Sequence, residues 1–167
     1  LFVALETNTG SGHKYIEDLY KQGVKNFLIS IWEASYENYN ANFFLVDNTL
    51  KALQALAMYH RDNFTSQAEL FRFPIIGVTG SNGKTIVKEW LYQLLKDKFN
   101  CCRSPKSYNS QIGVPLSVLN LNKEHNLGIF EAGISQTNEM ERLAMIIKPK
   151  IGIITNIGNA HNAGFHS

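Results

Sequence analysis

The chain has 167 residues, room for one domain or two small ones, and its 44% hydrophobic, 11% aromatic and 18% charged composition supplies a core and excludes disorder. Lys+Arg 16 against Asp+Glu 14 leaves a formal charge of +2, without the basic block of a nucleic-acid binder. No apolar stretch nears the roughly 18 residues of a membrane span and no leader pattern opens the chain, while the adjacent Cys101 and Cys102 cannot staple distant segments, so a reduced, cytoplasmic setting is expected.

Leu1-Phe2-Val3-Ala4-Leu5 is already strand-like, with no Met before it, and the far end runs from a strand into a Gly/His/Ser-rich loop. Both ends read as those of a fragment. After a turn-rich loop, Ile16, Leu19 and Tyr20 fall at helical spacing and predict a helix over 13–22, with Gly23 as its stop. Strands are expected over 26–31 and 43–46. Asp47 or Asn48 can cap the next helix, whose apolar face runs Leu50, Leu53, Leu56, Ala57, His60, Phe64. His60 reads as a boundary histidine before it reads as a ligand.

The periodicity breaks over 65–73 and Pro74 follows, which places a domain boundary between 1–72 and 73–167. Beyond it come a strand over 75–78, a Gly loop, a helix over 85–98 and a short strand near Cys101. A helical piece after Pro115, a strand over 127–132, a helix over 138–147 and a strand over 151–156 complete the series. The last two strands are apolar without alternation, as in parallel sheets covered on both faces. The expected fold class is α/β: a small α/β domain, then the first part of a P-loop-type, mostly parallel sheet domain.

The strongest chemical signal is Gly77-Val78-Thr79-Gly80-Ser81-Asn82-Gly83-Lys84-Thr85, between an apolar strand and a helix taken to bury Val87, Trp90, Leu91, Leu94 and Leu95. Gly80 and Gly83 let the backbone turn, so that the amides from Ser81 to Thr85 face an anion at a helix N-terminus. Lys84 can reach the β- and γ-phosphates of a nucleotide, and the Thr85 hydroxyl can sit on Mg²⁺. Val78 stands where the general pattern has glycine.

Glu131, at the end of a buried strand, can hold Mg²⁺ opposite Thr85 or cap the following loop. His161, past the last strand, can ligate a second divalent ion, bond a phosphoryl oxygen, or simply be exposed. Asn109 and Gln111 in Ser107-Tyr108-Asn109-Ser110-Gln111-Ile112-Gly113-Val114-Pro115 are free to donate to phosphate or substrate. Cys101 and Cys102 read as small core residues.

Together, Thr79 to Thr85, Asn109 to Pro115, Glu131-Ala132-Gly133 and Thr155-Asn156-Ile157-Gly158-Asn159-Ala160-His161 resemble the Mur ligase family, the ATP-dependent amide-forming enzymes of peptidoglycan assembly. The family's TGxxGKT loop accommodates Val78. Val87-Lys88-Glu89 and the IGVPLSVL wording are most similar to the member that adds D-Ala-D-Ala to a UDP-linked muramoyl tripeptide. Arg103-Ser104-Pro105-Lys106-Ser107-Tyr108-Asn109 is similar to forms fused to an alanine racemase. The first residues, with Gly12-His13-Lys14-Tyr15-Ile16, resemble the small domain that binds the UDP end. Ser11 stands where the family carries Asp, and Ser110 where it carries a second Asn.

The resemblance implies ATP and Mg²⁺ as cofactors and a reaction through an acyl phosphate. It implies Glu131 and His161 as Mg²⁺ ligands with Thr85, Asn109 as a nucleotide-side contact, and Gly80, Ser81, Asn82, Gly83 and Lys84 around the phosphates. The partners implied are the UDP-linked muramoyl peptide and D-Ala-D-Ala, with no nucleic acid, no membrane insertion and a monomeric protein. The family also needs a carbamylated lysine and a closing C-terminal domain outside these residues, so the 167 residues alone are expected not to catalyse ligation. An earlier Mur ligase, a folate polyglutamate synthase and a nucleotide-binding module that never turns over stay open as alternatives.

Overall fold

A computed structural model describes residues 1–7, 10–67, 74–133 and 138–158. They form two compact units, Leu1–Leu53 and Gln54–Ser167.

In the first unit β1 (Phe2–Val3) leads into a ribbon of β2 (Glu6–Thr7) against β3 (Gly10–Ser11), then a 3₁₀ turn (Gly12–Tyr15) and α1 (Ile16–Lys21). The single helix predicted over 13–22 is thus divided. Ser11 caps its first turn, accepting from the His13 amide at 3.2 Å, and the buried His13 ring points inward. After β4 (Asn26–Ile29) and a second 3₁₀ turn (Ala34–Asn38), β5 (Asn42–Leu45) completes a parallel sheet in the order β1-β4-β5. Its core is aromatic: Tyr36 stacks on Phe43 at 4.8 Å and Phe43 on Phe27 at 5.2 Å, with Phe2 edge-on to Phe27.

His13 Nε2 faces the amides of Ser30 at 3.1 Å and Ile31 at 3.2 Å, so that nitrogen is the acceptor. The ring proton is therefore on Nδ1, donated to the Ser11 hydroxyl at 2.8 Å. Ser11 supplies both the cap and the tautomer-fixing acceptor at this turn.

The division between the two compact units falls inside α2 (Thr49–Gln67). Asn48 caps this helix, accepting from the Lys51 amide at 2.8 Å, and the Thr49 hydroxyl donates to the Ala4 carbonyl at 3.0 Å. From Gln54 onward the same helix serves the second unit. Ala57, Met58 and Phe64 join its core, His60 donates to the Leu121 carbonyl at 2.7 Å, and buried Arg61 donates to the carbonyls of Met145 and Ile146.

The second unit continues with β6 (Ile75–Thr79), α3 (Lys84–Leu95), β7 (Cys101–Arg103), α4 (Gly113–Val118), β8 (Leu127–Glu131), α5 (Glu139–Ile147) and β9 (Ile151–Ile154). All four strands are parallel, in the order β7-β8-β6-β9. Arg61 therefore satisfies the last carbonyls of α5, where a cation also complements the helix dipole. β8 is buried along its whole length, as its unbroken apolar run requires. β9 carries a similar run but lies at the edge of the described sheet, with Ile151 and Ile154 exposed. On β7, Cys101 and Cys102 point to opposite faces and into different core clusters. Burial pushes the Cys102 thiol up to about 11 and raises that of Cys101.

α3 departs from expectation in one respect. Val87, Leu91 and Leu95 pack on the sheet, but Trp90 is 63% and Leu94 77% exposed, forming with Ile86 an outward apolar stripe. The residues 86, 90 and 94 recur every fourth position, beside the inward stripe and not within it.

Candidate active site

The site is built where β6 and β8 end side by side. Val78 pairs with Glu131 in register, and the Ala132 amide donates to the Val78 carbonyl at 2.9 Å. In a parallel sheet the carboxyl ends of neighbouring strands form the ligand crevice.

From β6 the chain turns through Gly80 at φ +132° and Gly83 at φ +79°, backbone conformations that L side chains rarely adopt. Gly80 has a second constraint: a Cβ there would lie 2.2 Å from Thr155 Oγ1. The segment after β9 presses against the loop at this point. The Ser81 amide donates to the Asn156 carbonyl at 3.0 Å, the Asn82 amide to Asn156 Oδ1 at 2.9 Å, and the Gly158 amide to the Ser81 hydroxyl at 2.8 Å.

Of the five amides expected to face one anion, two are thus committed to Asn156. Those of Gly83, Lys84 and Thr85 have no acceptor among the described residues and stand at the positive end of α3. The Lys84 ammonium folds over the loop, donating to the Gly80 carbonyl at 2.7 Å.

Glu131 is 1% exposed and held from several sides. Its Oε1 accepts from Thr85 Oγ1 at 3.0 Å and Asn109 Nδ2 at 2.7 Å, and its Oε2 lies 2.9 Å from the same Thr85 hydroxyl. Ser107 Oγ is 3.2 Å from Thr85 Oγ1. With its one proton turned toward Glu131, Thr85 receives the Ser107 proton. The Glu131-Ala132-Gly133 motif also acquires a local reason. Gly133 donates its amide to the Asn109 carbonyl at 2.8 Å, and a Cβ on it would come within 3.0 Å of Asn109 Cγ.

Other residues of this region have structural partners. Ser110 Oγ accepts from the Gly113 amide at 3.1 Å at the start of α4. Gln111 donates to the Glu139 carbonyl and receives the Gln54 side chain, so it is engaged in packing. His161 lies outside the described residues.

Lys88, quoted in the sequence only as part of a family wording, proves central. It is fully buried, with Nζ 2.8 Å from the Ser104 carbonyl, 3.1 Å from Glu89 Oε1 and 3.8 Å from Glu131 Oε2, and a further bond to the Lys106 carbonyl. Arg103 pairs with Glu89 from the other side at 3.1 Å. Burial opposes the Glu89 charge, but the hydrogen bonds and charges of Lys88 and Arg103 outweigh it and hold the carboxyl below its ordinary range. The signal for Lys88 was a lysine one turn after Thr85, beside the inward stripe of an otherwise apolar helix.

Among the described residues no three His, Cys, Asp or Glu side chains come together. The donors beside the loop are oxygens, one carboxylate and two hydroxyls. This set fits Mg²⁺, which keeps several waters and is typically held by one or two carboxylates plus substrate phosphates.

The family model of the Mur ligase middle domain matches residues 78–167. A UDP-N-acetylmuramoyl-tripeptide–D-alanyl-D-alanine ligase from Borreliella burgdorferi is 39% identical over 171 residues, covering 99% of this chain and 35% of the relative. The protein of the same name from Treponema pallidum is 36% identical over 168 residues, covering 96% and 35%. Among solved structures, MurF from Acinetobacter baumannii superposes with a TM-score of 0.86 at 27% identity, over 97% of this chain and 34% of that one. The MurF ligase of Thermotoga maritima, solved in complex with ADP, gives 0.80 at 31% identity, over 96% and 35%. The chain spans about a third of the length of the curated relatives it matches.

Proposed function

The chain belongs to the Mur ligase family, with that family's middle domain over residues 78–167, and from this premise we propose that it supplies the nucleotide-binding part of a ligase joining D-Ala-D-Ala to a UDP-linked muramoyl tripeptide. The observation that carries the reading is the Thr85 hydroxyl set against both oxygens of Glu131, beside amides at the start of α3 that have no acceptor among the described residues. The choice of substrates rests on the names of the relatives.

In the proposed reaction a carboxylate oxygen of the muramoyl peptide attacks the γ-phosphorus of ATP, and ADP leaves. The amine of D-Ala-D-Ala then attacks the acyl carbon, and phosphate departs. Phosphoryl transfer asks the protein for positioning and charge neutralisation. Lys84 exchanges the Gly80 carbonyl for phosphate oxygens, and the amides of Gly83, Lys84 and Thr85 complete the cradle. Glu131 and Thr85 would hold Mg²⁺, with His161 as a further ligand. When bound, the ion neutralises charge on the transferring phosphate. Asn109 orients Glu131 through its amide nitrogen and serves as a nucleotide-side contact.

The first unit, Leu1–Leu53 within the expected 1–72 domain, is assigned to the UDP end of the substrate. No helix among the described residues is long and apolar enough to cross a membrane, and a monomeric cytoplasmic enzyme fits a soluble UDP-linked substrate.

The test uses the full-length protein with ATP, Mg²⁺ and UDP-muramoyl tripeptide, following phosphate release. Release should require D-Ala-D-Ala and be lost in Glu131→Gln. Equal turnover with a single amino acid on a shorter muramoyl precursor would reassign the protein to an earlier step. Tight nucleotide binding without release under any amine would make it a binding module.

A further inference from the structure

Lys88 and Glu131 are both buried, at 0% and 1% side-chain exposure, with Nζ 3.8 Å from Oε2. The ammonium cannot swing out to water. It is fixed by the Ser104 and Lys106 carbonyls and by Glu89, which in turn pairs with Arg103. The four charged groups of this cluster, Lys88, Arg103, Glu89 and Glu131, sum to zero. A divalent ion approaching Glu131 therefore meets a carboxylate already matched by a cation, and the nearby Glu89 carboxylate is itself paired with Lys88 and Arg103.

A nucleotide reverses this balance. Its phosphates would meet Lys84 and the amides of Gly83, Lys84 and Thr85, which have no acceptor among the described residues, and would bring the negative charge to carry a divalent ion past the fixed ammonium.

We propose that Lys88 is a resident cation that withholds Glu131 from free divalent metal, so that the nucleotide-free site stays unloaded and the metal enters with the nucleotide. The proposal rests on the reading of Glu131 as a metal carboxylate. It concerns the order of loading and goes beyond the reaction itself. Lys88 touches neither substrate nor metal in this scheme; it is a positioning residue that acts through Glu131.

The experiment measures Mn²⁺ binding to the full-length protein by electron paramagnetic resonance, with and without ADP. Wild type should bind Mn²⁺ well only with ADP. Lys88→Met should tighten nucleotide-free binding by about tenfold, because removing a nearby like charge favours the ion. Glu89→Gln should act in the opposite direction, weakening nucleotide-free binding several-fold, since Lys88 then turns more of its charge on Glu131. If Lys88→Met does not fold, Lys88→Gln, which keeps a polar donor for the Ser104 and Lys106 carbonyls, carries the same expectation of tighter nucleotide-free binding.

Glu131→Gln separates the two layers. If it leaves Mn²⁺ binding with ADP intact, the metal reading of Glu131 fails and the proposal goes with it. If it abolishes that binding while Lys88→Met leaves nucleotide-free affinity unchanged or weaker, only the gating role is overturned. A purely structural lysine would lower the unfolding temperature without tightening metal binding.

Discussion

The hydroxyl of Thr85 lies 3.0 and 2.9 Å from the two carboxylate oxygens of Glu131, tying the first turn of α3 to the end of β8. One proton spans both oxygens, so the carboxylate is aligned by a residue that also lines the phosphate cradle. Replacing Thr85 with Val keeps the shape and removes the proton. A hydrogen bond to a charged group is worth about 1.5–3 kcal/mol, and the loss at this part-buried bond should fall on metal-dependent nucleotide binding. Calorimetry should show the Mg²⁺-dependent part of ADP affinity reduced at least about tenfold, with metal-free affinity little changed. An equal loss in both would assign Thr85 to phosphate alone.

Gly80 combines a positive φ of +132° with a closed space. Ala at this position meets Thr155 Oγ1 at 2.2 Å and the Asn156 backbone oxygen at 2.9 Å. Trimming Thr155 relieves only the first clash, because the second is with main chain. Gly80→Ala should destabilise the protein by about 1–3 kcal/mol and abolish measurable ADP binding, and adding Thr155→Ala should not restore it. Normal ADP affinity in Gly80→Ala would mean that the loop does not need its contact with the segment after β9.

How much of this was legible depended on how local each cause is. The phosphate loop was readable because glycine turns, a Lys-Thr pair and a flanking strand and helix are neighbours in sequence. The commitment of the Ser81 and Asn82 amides to Asn156 was not, since it joins positions more than seventy residues apart through the pairing of β6 with β9. Trp90 and Leu94 face outward where the apolar pattern predicts burial, because an apolar residue on a helix carries no mark of which stripe meets the sheet. β8 and β9 have similar compositions, and only strand order makes one central and the other an edge. Lys88 carries little mark in the sequence, because a lysine is expected at the surface and its partners come from its own helix, from 104–106 and from β8.

Glu89 gives the site an acid-side signature. Its carboxyl is held below the ordinary value of 4.5 by Lys88 and Arg103 against the cost of burial. A carboxyl whose folded value is depressed contributes stability that is fully present above its unfolded value. That contribution is lost as pH falls through the lower, folded value. The side chain is 35% exposed, so solvent screening reduces the effect. Glu89→Gln should therefore flatten the acid limb of a urea-midpoint profile below about pH 4.5. An acid limb identical to wild type would show that the pair with Lys88 carries no net folding energy.

Gly133 and Asn109 should behave as one unit. The Asn109 side chain lies over Gly133, so the Cβ of Gly133→Ala would come within 3.0 Å of Asn109 Cγ and 3.1 Å of Nδ2, the atom bonded to Glu131 at 2.7 Å. The backbone bond from Gly133 to the Asn109 carbonyl need not change, and the expected result is displacement of the amide from the carboxylate. Asn109→Ala removes the same bond by deletion. Each single variant should lower turnover in the full-length ligase about ten- to a hundredfold, the range expected for losing a supporting partner of a metal carboxylate. The double variant should be no worse than Asn109→Ala alone, because both act through one contact and their effects cannot add. Multiplicative losses in that cycle would show that Gly133 is required for a reason independent of Asn109, and the explanation given for the Glu131-Ala132-Gly133 motif would fall.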